Sequence, residues 1–337
     1  MKSAIAAISM LALAGGAAAA QEPPAKAATA AAQQMNAEAR AANAAAQRLN
    51  GPPSARGGHD GKAARPPKPL KSKAMLQADA ASAPSLGLGA NVTAANAGKA
   101  HGCQGVIYLT FDTGSQSQAE LIAATLNQHH IRATFFLANE KTVRGDHALD
   151  DGWADYWKAR VAEGHAIGSH TYDHVYLVKD GAGGKITVKP QFGAQAGKVQ
   201  DWTPAQYCEE IKRVDQRFVE LTGKHLDPIW RAPGGRVSER TLQAAQSCGY
   251  SHVGWPKSGF SGDELSSTAF PNAVLLQKSL RELKSGDIFV AHMGIWSRKD
   301  AWAPANLEPL IRGLEQKDFC FATLREHPDY SSTFKHR

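Results

Sequence analysis

Two histidines four residues apart, His170 and His174 in the stretch GHAIGSHTYDH (164–174), carry the clearest chemistry in this chain. Imidazoles at that spacing can meet on one side of a helical turn and hold a divalent cation. Four further side chains share a feature with them: Asp112 closes GVIYLTFD, Arg231 lies in PIWRAPGG, Trp255 closes YSHVGW and His292 closes DIFVAH. Taken singly each has a plain structural reading. Asp112 could cap a helix starting near Ser117, Arg231 could form a surface ion pair, and His292 and Trp255 could be core residues. What unites them is position, because each stands at or near the carboxyl end of a β-rich run.

Seven such runs recur, at 105–112, 132–139, 165–171, 228–235, 250–255, 287–292 and 319–324. Amphipathic segments of helical length lie between them, near 117–129, 152–163, 238–248, 273–284 and 305–316. The clearest helix starts at Thr203-Pro204, an N-cap followed by proline at the first helical position. It sets Ile211, Val214, Phe218 and Leu221 on one stripe, and Gly223 ends it. This alternation makes the chain α/β with a parallel sheet, and its length is close to that of a (β/α) barrel, about 250 residues. In such a barrel the functional groups sit at the carboxyl ends of the strands, where these residues fall. An open doubly wound sheet is the alternative. No GxGxxG follows any run, so a dinucleotide site is excluded. Residues 175–202 break the rhythm with glycines and the alternating Ile186 and Val188, as a long loop or small hairpin would.

The segment before residue 100 has a different character. Lys2 followed by an apolar run and Ala18-Ala19-Ala20 reads as a signal peptide over 1–20, which places the mature protein in the periplasm or outside the cell. Residues 21–100 are rich in Ala, Pro, Gln and Lys and read as a disordered linker leading to a folded domain at 101–337. The folded part carries 27 basic and 27 acidic residues, so the net charge of +7 belongs to the first hundred. That basic tail suits a solvated spacer with weak contact to an anionic envelope, and a neutral folded part gives no reason to expect nucleic acid. The four cysteines, at 103, 208, 248 and 320, include no CxxC. In an oxidising compartment they permit two disulfides. Cys103 would meet Cys320 if the barrel closes, leaving Cys208 for Cys248; four buried free thiols are the alternative.

The motifs TFDTG (110–114), GHAIGSHTYDH (164–174), RAPGG (231–235) and GDIFVAH (286–292), in this order, resemble the NodB-type polysaccharide deacetylases, carbohydrate esterase family 4. The resemblance covers roughly 104–324 and includes RATFFLAN (132–139). It implies a deformed (β/α)7-type barrel and a metal-dependent hydrolase that removes N-acetyl groups from an amino-sugar polysaccharide such as peptidoglycan or a poly-N-acetylglucosamine-like polymer. It implies Asp112 as general base, His170 and His174 as metal ligands with Asp112 beside them, Arg231 as the residue orienting the base, and His292 as general acid. The cation implied is zinc, with cobalt or manganese as alternatives. Thr113 stands where the family has its second Asp, a metal ligand, so the third ligand falls to Asp112 or to Asp146, Asp150 or Asp151 of RGDHALDDGW. The stretch PKSGFSGDEL after Trp255 has serines where the aspartates of the family's fourth motif fall, leaving Asp263 as the candidate partner of His292. Trp255, Trp296 and Trp302 are candidates for stacking on sugar rings. Two other functions fit the same residues: a glycan-binding barrel without hydrolysis, and an esterase removing O-acetyl groups.

Overall fold

The computed structural model describes residues 102–336, so the expected signal peptide and linker lie outside the described residues. The chain opens with β1 (Gly105–Asp112), α1 (Ala119–Gln128), β2 (Thr134–Leu137), α2 (Ala154–Ala162) and β3 (Ala166–Ser169). Three short strands follow, β4 (Tyr176–Asp180), β5 (Ile186–Lys189) and β6 (Gln200–Trp202), before α3 (Pro204–Thr222). The second half runs β7 (Ile229–Trp230), α4 (Glu239–Ser247), β8 (Ser251–His252), α5 (Asn272–Glu282), β9 (Ile288–His292), α6 (Trp302–Glu315) and β10 (Phe319–Phe321).

All seven β-rich runs of the sequence become strands of one curled parallel sheet, in the order β10-β1-β2-β3-β7-β8 with β9 also paired to β1. A single bridge from Phe260 to Val290 stands on β9, where the curl would close. The result is the deformed barrel expected, with β7 and β8 reduced to two residues each. Residues 175–202 carry more order than a loop: β4, β5 and β6 form a separate antiparallel sheet, with Ile186 and Val188 buried on its inner face.

The period of the strand decides where chemistry can point. β1 is buried along its whole length, and its alternate residues Ile107, Leu109 and Phe111 pack with the helices. Val106 and Tyr108 pack instead with Phe136, Val253, Trp255 and Val290 inside the curl. Since successive side chains alternate across a strand, Thr110 and Asp112 share that inner face. Outside, α3 is held by a capping box between Thr203 and Gln206, and Gly223 ends it in the left-handed conformation. Its stripe of Ile211, Val214, Phe218 and Leu221 is buried as the spacing predicts. Among the described residues no helix is long and apolar enough to cross a membrane.

The cysteines pair as Cys103–Cys320 and Cys208–Cys248, with Cα separations of 6.0 and 6.2 Å. The first joins the lead into β1 to β10, and the second joins α3 to the end of α4. Replacing Cys103 and Cys320 by serine is expected to lower the unfolding free energy by about 2–5 kcal/mol. Losing Cys208–Cys248 should cost less, because the bridged residues are 40 apart in the chain rather than 217. Denaturant titration of the two double variants checks both the loss and the order.

Candidate active site

The carboxyl ends of β1, β2, β3 and β9 open on a cavity of about 240 Å³ whose walls include Asp112, Thr113, Glu140, His170, His174 and His292. Asp112 ends β1 on the inner face and is 2% exposed. Opposite it Arg231, 0% exposed, follows β7 and crosses the interior, where its Nη1 donates to Asp112 Oδ1 and Thr110 Oγ1, each at 2.8 Å. Its Nε donates to the Val253 carbonyl at 3.3 Å, and the guanidinium lies over Phe136 and Trp255. Burial pushes the Asp112 carboxyl up, but Arg231, His170 and His292 outweigh it and hold it below the ordinary carboxylate value. Asp112 does not cap a helix; Gln118 stands at the N-cap of α1.

His170 follows β3, and its Nδ1 donates to the Arg231 carbonyl at 2.9 Å. A carbonyl only accepts, so Nδ1 carries the proton and Nε2 keeps its lone pair, facing Asp112 Oδ2 at 3.6 Å. The turn that brings His174 back beside it is strained. Thr171 and His174 adopt φ of 63° and 49°, a conformation costly for residues other than glycine and concentrated at functional sites. The two imidazole rings stand edge to face, 5.0 Å between centroids. Burial lowers both histidines to about 4, so both rings are neutral at pH 7.

His292 ends β9 with its backbone N–H and its Nδ1 both on Asp263, at 2.6 and 3.0 Å. Ser261 donates to the same carboxylate at 2.9 Å. Burial alone would lower this histidine, but Asp263 overrides it and raises His292 to about 10. Asp263 thus occupies the place beside His292 that the sequence left open.

The loop RGDHALDDGW does not reach the cavity. Asp146 accepts from Thr142 and Trp153, Asp150 pairs with His147, and Asp151 pairs with Arg217. The second carboxylate of the site is instead Glu140, three residues beyond β2 and 8% exposed. Thr113 Oγ1 donates to Glu140 Oε1 at 2.9 Å and accepts from the Ala138 N–H at 2.9 Å. Burial raises Glu140 above its ordinary value, and His170 and the Thr113 hydroxyl only partly offset this. Of the three tryptophans, Trp255 lines the cavity at 5% exposed and Trp296 stands at its mouth at 58%. Trp302 is a core residue stacked on Phe289.

Close approach of two loops shapes the floor. Ser115 N–H donates to the Gly294 carbonyl at 2.9 Å, and a Cβ on Gly114 would lie 2.3 Å from that same oxygen. Only glycine fits there.

The model of the family described as Polysaccharide deacetylase matches residues 99–253. Over those residues the chain is similar to this family. The match takes in Asp112, Glu140, His170, His174 and Arg231 and ends before Asp263 and His292. A peptidoglycan-N-acetylglucosamine deacetylase of Bacillus cereus is 26% identical over 183 residues, which cover 51% of this chain and 55% of that protein. The chain thus spans about half the length of this relative. A solved peptidoglycan N-acetylglucosamine deacetylase superimposes with a TM-score of 0.50 at 23% identity, over 66% of this chain and 87% of the other. An acetyl xylan esterase from Clostridium thermocellum, solved with a cobalt ion, gives 0.50 at 18%, over 67% and 91%. At these identities the likeness of the solved structures is one of fold.

Polysaccharide deacetylases depend on a metal, and the donors here suit one chemically. Two neutral imidazoles and two carboxylates share one cavity, and His174 Nδ1 is buried with no hydrogen-bond partner among the described residues. His170 has its second nitrogen fixed by a carbonyl, the outer contact typical of a ligating histidine. Among the described residues no three such side chains already converge at ligating distance.

The buried ion pair gives a test of the scaffold. Arg231→Met strands the Asp112 charge and is expected to cost about 3–5 kcal/mol, whereas adding Asp112→Asn should return part of that loss. Urea denaturation measures both; a double variant no more stable than the single one would show that the two groups are not coupled.

Proposed function

We propose that this chain is a metal-dependent N-deacetylase acting on an amino-sugar polysaccharide of the cell envelope, peptidoglycan or a poly-N-acetylglucosamine-like polymer. The observation that carries this reading is the convergence in one cavity of a neutral histidine pair, a carboxylate held by a buried guanidinium, and a third histidine held protonated by its own carboxylate. The names of the relatives support the substrate class. Two disulfides suit an exported protein with a domain beginning near residue 101.

The residues that would hold a divalent cation, zinc or alternatively cobalt or manganese, are His170 and His174 with the Asp112 carboxylate beside them. Such a cation polarises an acyl oxygen and brings the pKa of water from 15.7 to about 7. The other tasks fall to side chains. Arg231 takes Asp112 Oδ1 and so leaves Oδ2 as the oxygen that accepts a proton from the attacking water. An amine leaves an acetamide only once protonated, and His292, raised to about 10, is the group that carries a proton into the reaction. Asp263 fixes that imidazole through Nδ1, which directs Nε2 as the donor. Trp296, exposed at the mouth of the cavity, offers a flat apolar face to a sugar ring.

Incubating the full chain with peptidoglycan, chitooligosaccharides and acetylated xylan, and measuring acetate, tests the reading. Release from the N-acetylated polymers that stops on chelation, returns with Zn, Co or Mn and is lost in His170→Ala is the expected result. Release that survives both treatments would overturn the metal-dependent mechanism. Binding of glycan without release from any polymer would mark a binding barrel instead, and release from acetylated xylan alone an O-acetyl esterase.

A further inference from the structure

The metal-dependent reading leaves Asp112 with three tasks: partner of Arg231, proton acceptor and third protein ligand. One oxygen is already held by the guanidinium, and the other cannot accept a proton while its lone pairs are given to a cation. The position next to it, Thr113, has a hydroxyl, which is a poor ligand for zinc compared with a carboxylate. The cavity nevertheless contains a second carboxylate.

Glu140 comes from the neighbouring strand rather than from β1. Its backbone is fixed on both sides: its carbonyl accepts from the Ala148 N–H at 2.8 Å, and the next residue, Lys141, bridges to His147. Its side chain is then caught by Thr113 Oγ1, which is itself oriented by the Ala138 N–H. Thr113 holds only Oε1, and Glu140 lines the cavity with His170 and His174. The extra methylene of Glu over Asp supplies the reach that an origin on β2 requires. A carboxylate buried at 8% exposure, close to Asp112 and paired only with a hydroxyl, has no cationic side chain to balance it within its own hydrogen bonds.

We propose that Glu140 is the third protein ligand of the metal site, a carboxylate transferred from β1 to β2, with the Thr113 hydroxyl as the clamp that aims it. Resting on the metal-dependent reading, this assignment frees Asp112 to act as base alone. It also gives Thr113 a positive function: the hydroxyl positions a ligand instead of replacing one.

The experiment measures binding of Zn2+ and Co2+ to the full chain by calorimetry, together with the visible spectrum of the Co2+ form, without any substrate. Glu140→Gln is expected to weaken binding by at least about 10-fold, the lower bound for losing even an outer partner of a metal ligand, and to change the Co2+ spectrum. Thr113→Asp placed on Glu140→Gln returns a carboxylate to β1 and should recover both affinity and spectrum. Thr113→Val, which keeps the carboxylate and removes its clamp, should weaken binding by a smaller factor, and it serves as the second probe if Glu140→Gln does not fold. Wild-type affinity in Glu140→Gln, with binding lost in His170→Ala, would overturn the role of Glu140 while leaving the metal-dependent reading intact. A natively folded double variant that fails to recover would overturn it as well. No binding by the wild-type chain would overturn both.

Discussion

The structure depends on one buried guanidinium. Arg231 crosses the interior of the curl from β7 to β1 with no exposed surface, and a charge so placed needs a compensating carboxylate. Asp112 is that carboxylate, and the same cation that demands it keeps it ionised. The main chain of Arg231 then does a second job, since its carbonyl accepts a hydrogen bond from the His170 Nδ1–H and so fixes the tautomer of the histidine that faces Asp112. Asp112, Arg231 and His170 are therefore one mechanical unit. They are tied across β1, β3 and β7 through oxygen atoms that include Asp112 Oδ1, Thr110 Oγ1 and the Arg231 carbonyl.

A second unit stands on β9. Asp263 grips His292 by both backbone and side chain, so the imidazole cannot rotate without breaking its Nδ1 hydrogen bond. The two units have opposite electrostatic logic. Burial keeps His170 and His174 neutral, whereas a carboxylate keeps His292 charged within the same cavity. One site thus holds imidazoles in both protonation states, and the charged one is the one whose Nδ1 meets a carboxylate.

Much of this was legible in the sequence because parallel strands announce themselves. Runs such as GVIYLTFD and DIFVAH are apolar throughout and stop on a polar residue, and a barrel puts the ends of its strands on one rim. Hence the positions of Asp112, His170, Arg231 and His292 followed from their place in the runs. What was not legible depends on pairing across the chain. The sheet of β4, β5 and β6 rests on registers between residues up to 16 positions apart, such as Tyr176 with Lys189 and Ile186 with Trp202. Asp146, Asp150 and Asp151 read as a reservoir of ligands, but each is satisfied by a near neighbour or by Arg217. Trp302 read as a rim residue because the helix was expected to begin at 305; it starts at Trp302, which turns that ring onto Phe289. Glu140 was missed although the signal was present: it is the polar residue that closes the extension of the second run, RATFFLANE, one place beyond where that run was ended.

That omission explains why Thr113 looks anomalous in the sequence and ordinary in the structure. Read along β1, the strand runs from Asp112 into a hydroxyl rather than a second carboxylate. Read across the sheet, Arg231 is matched by Asp112 and His292 by Asp263, while Glu140 accepts a hydroxyl hydrogen bond from Thr113. A site that must hold a divalent cation needs a surplus negative charge more than it needs that charge on a particular strand. Parallel register makes the exchange possible, because Asp112 pairs with Phe136 and the chain beyond both strands emerges at the same rim. The hydroxyl of Thr113 is small enough to leave room for the longer side chain and polar enough to hold it.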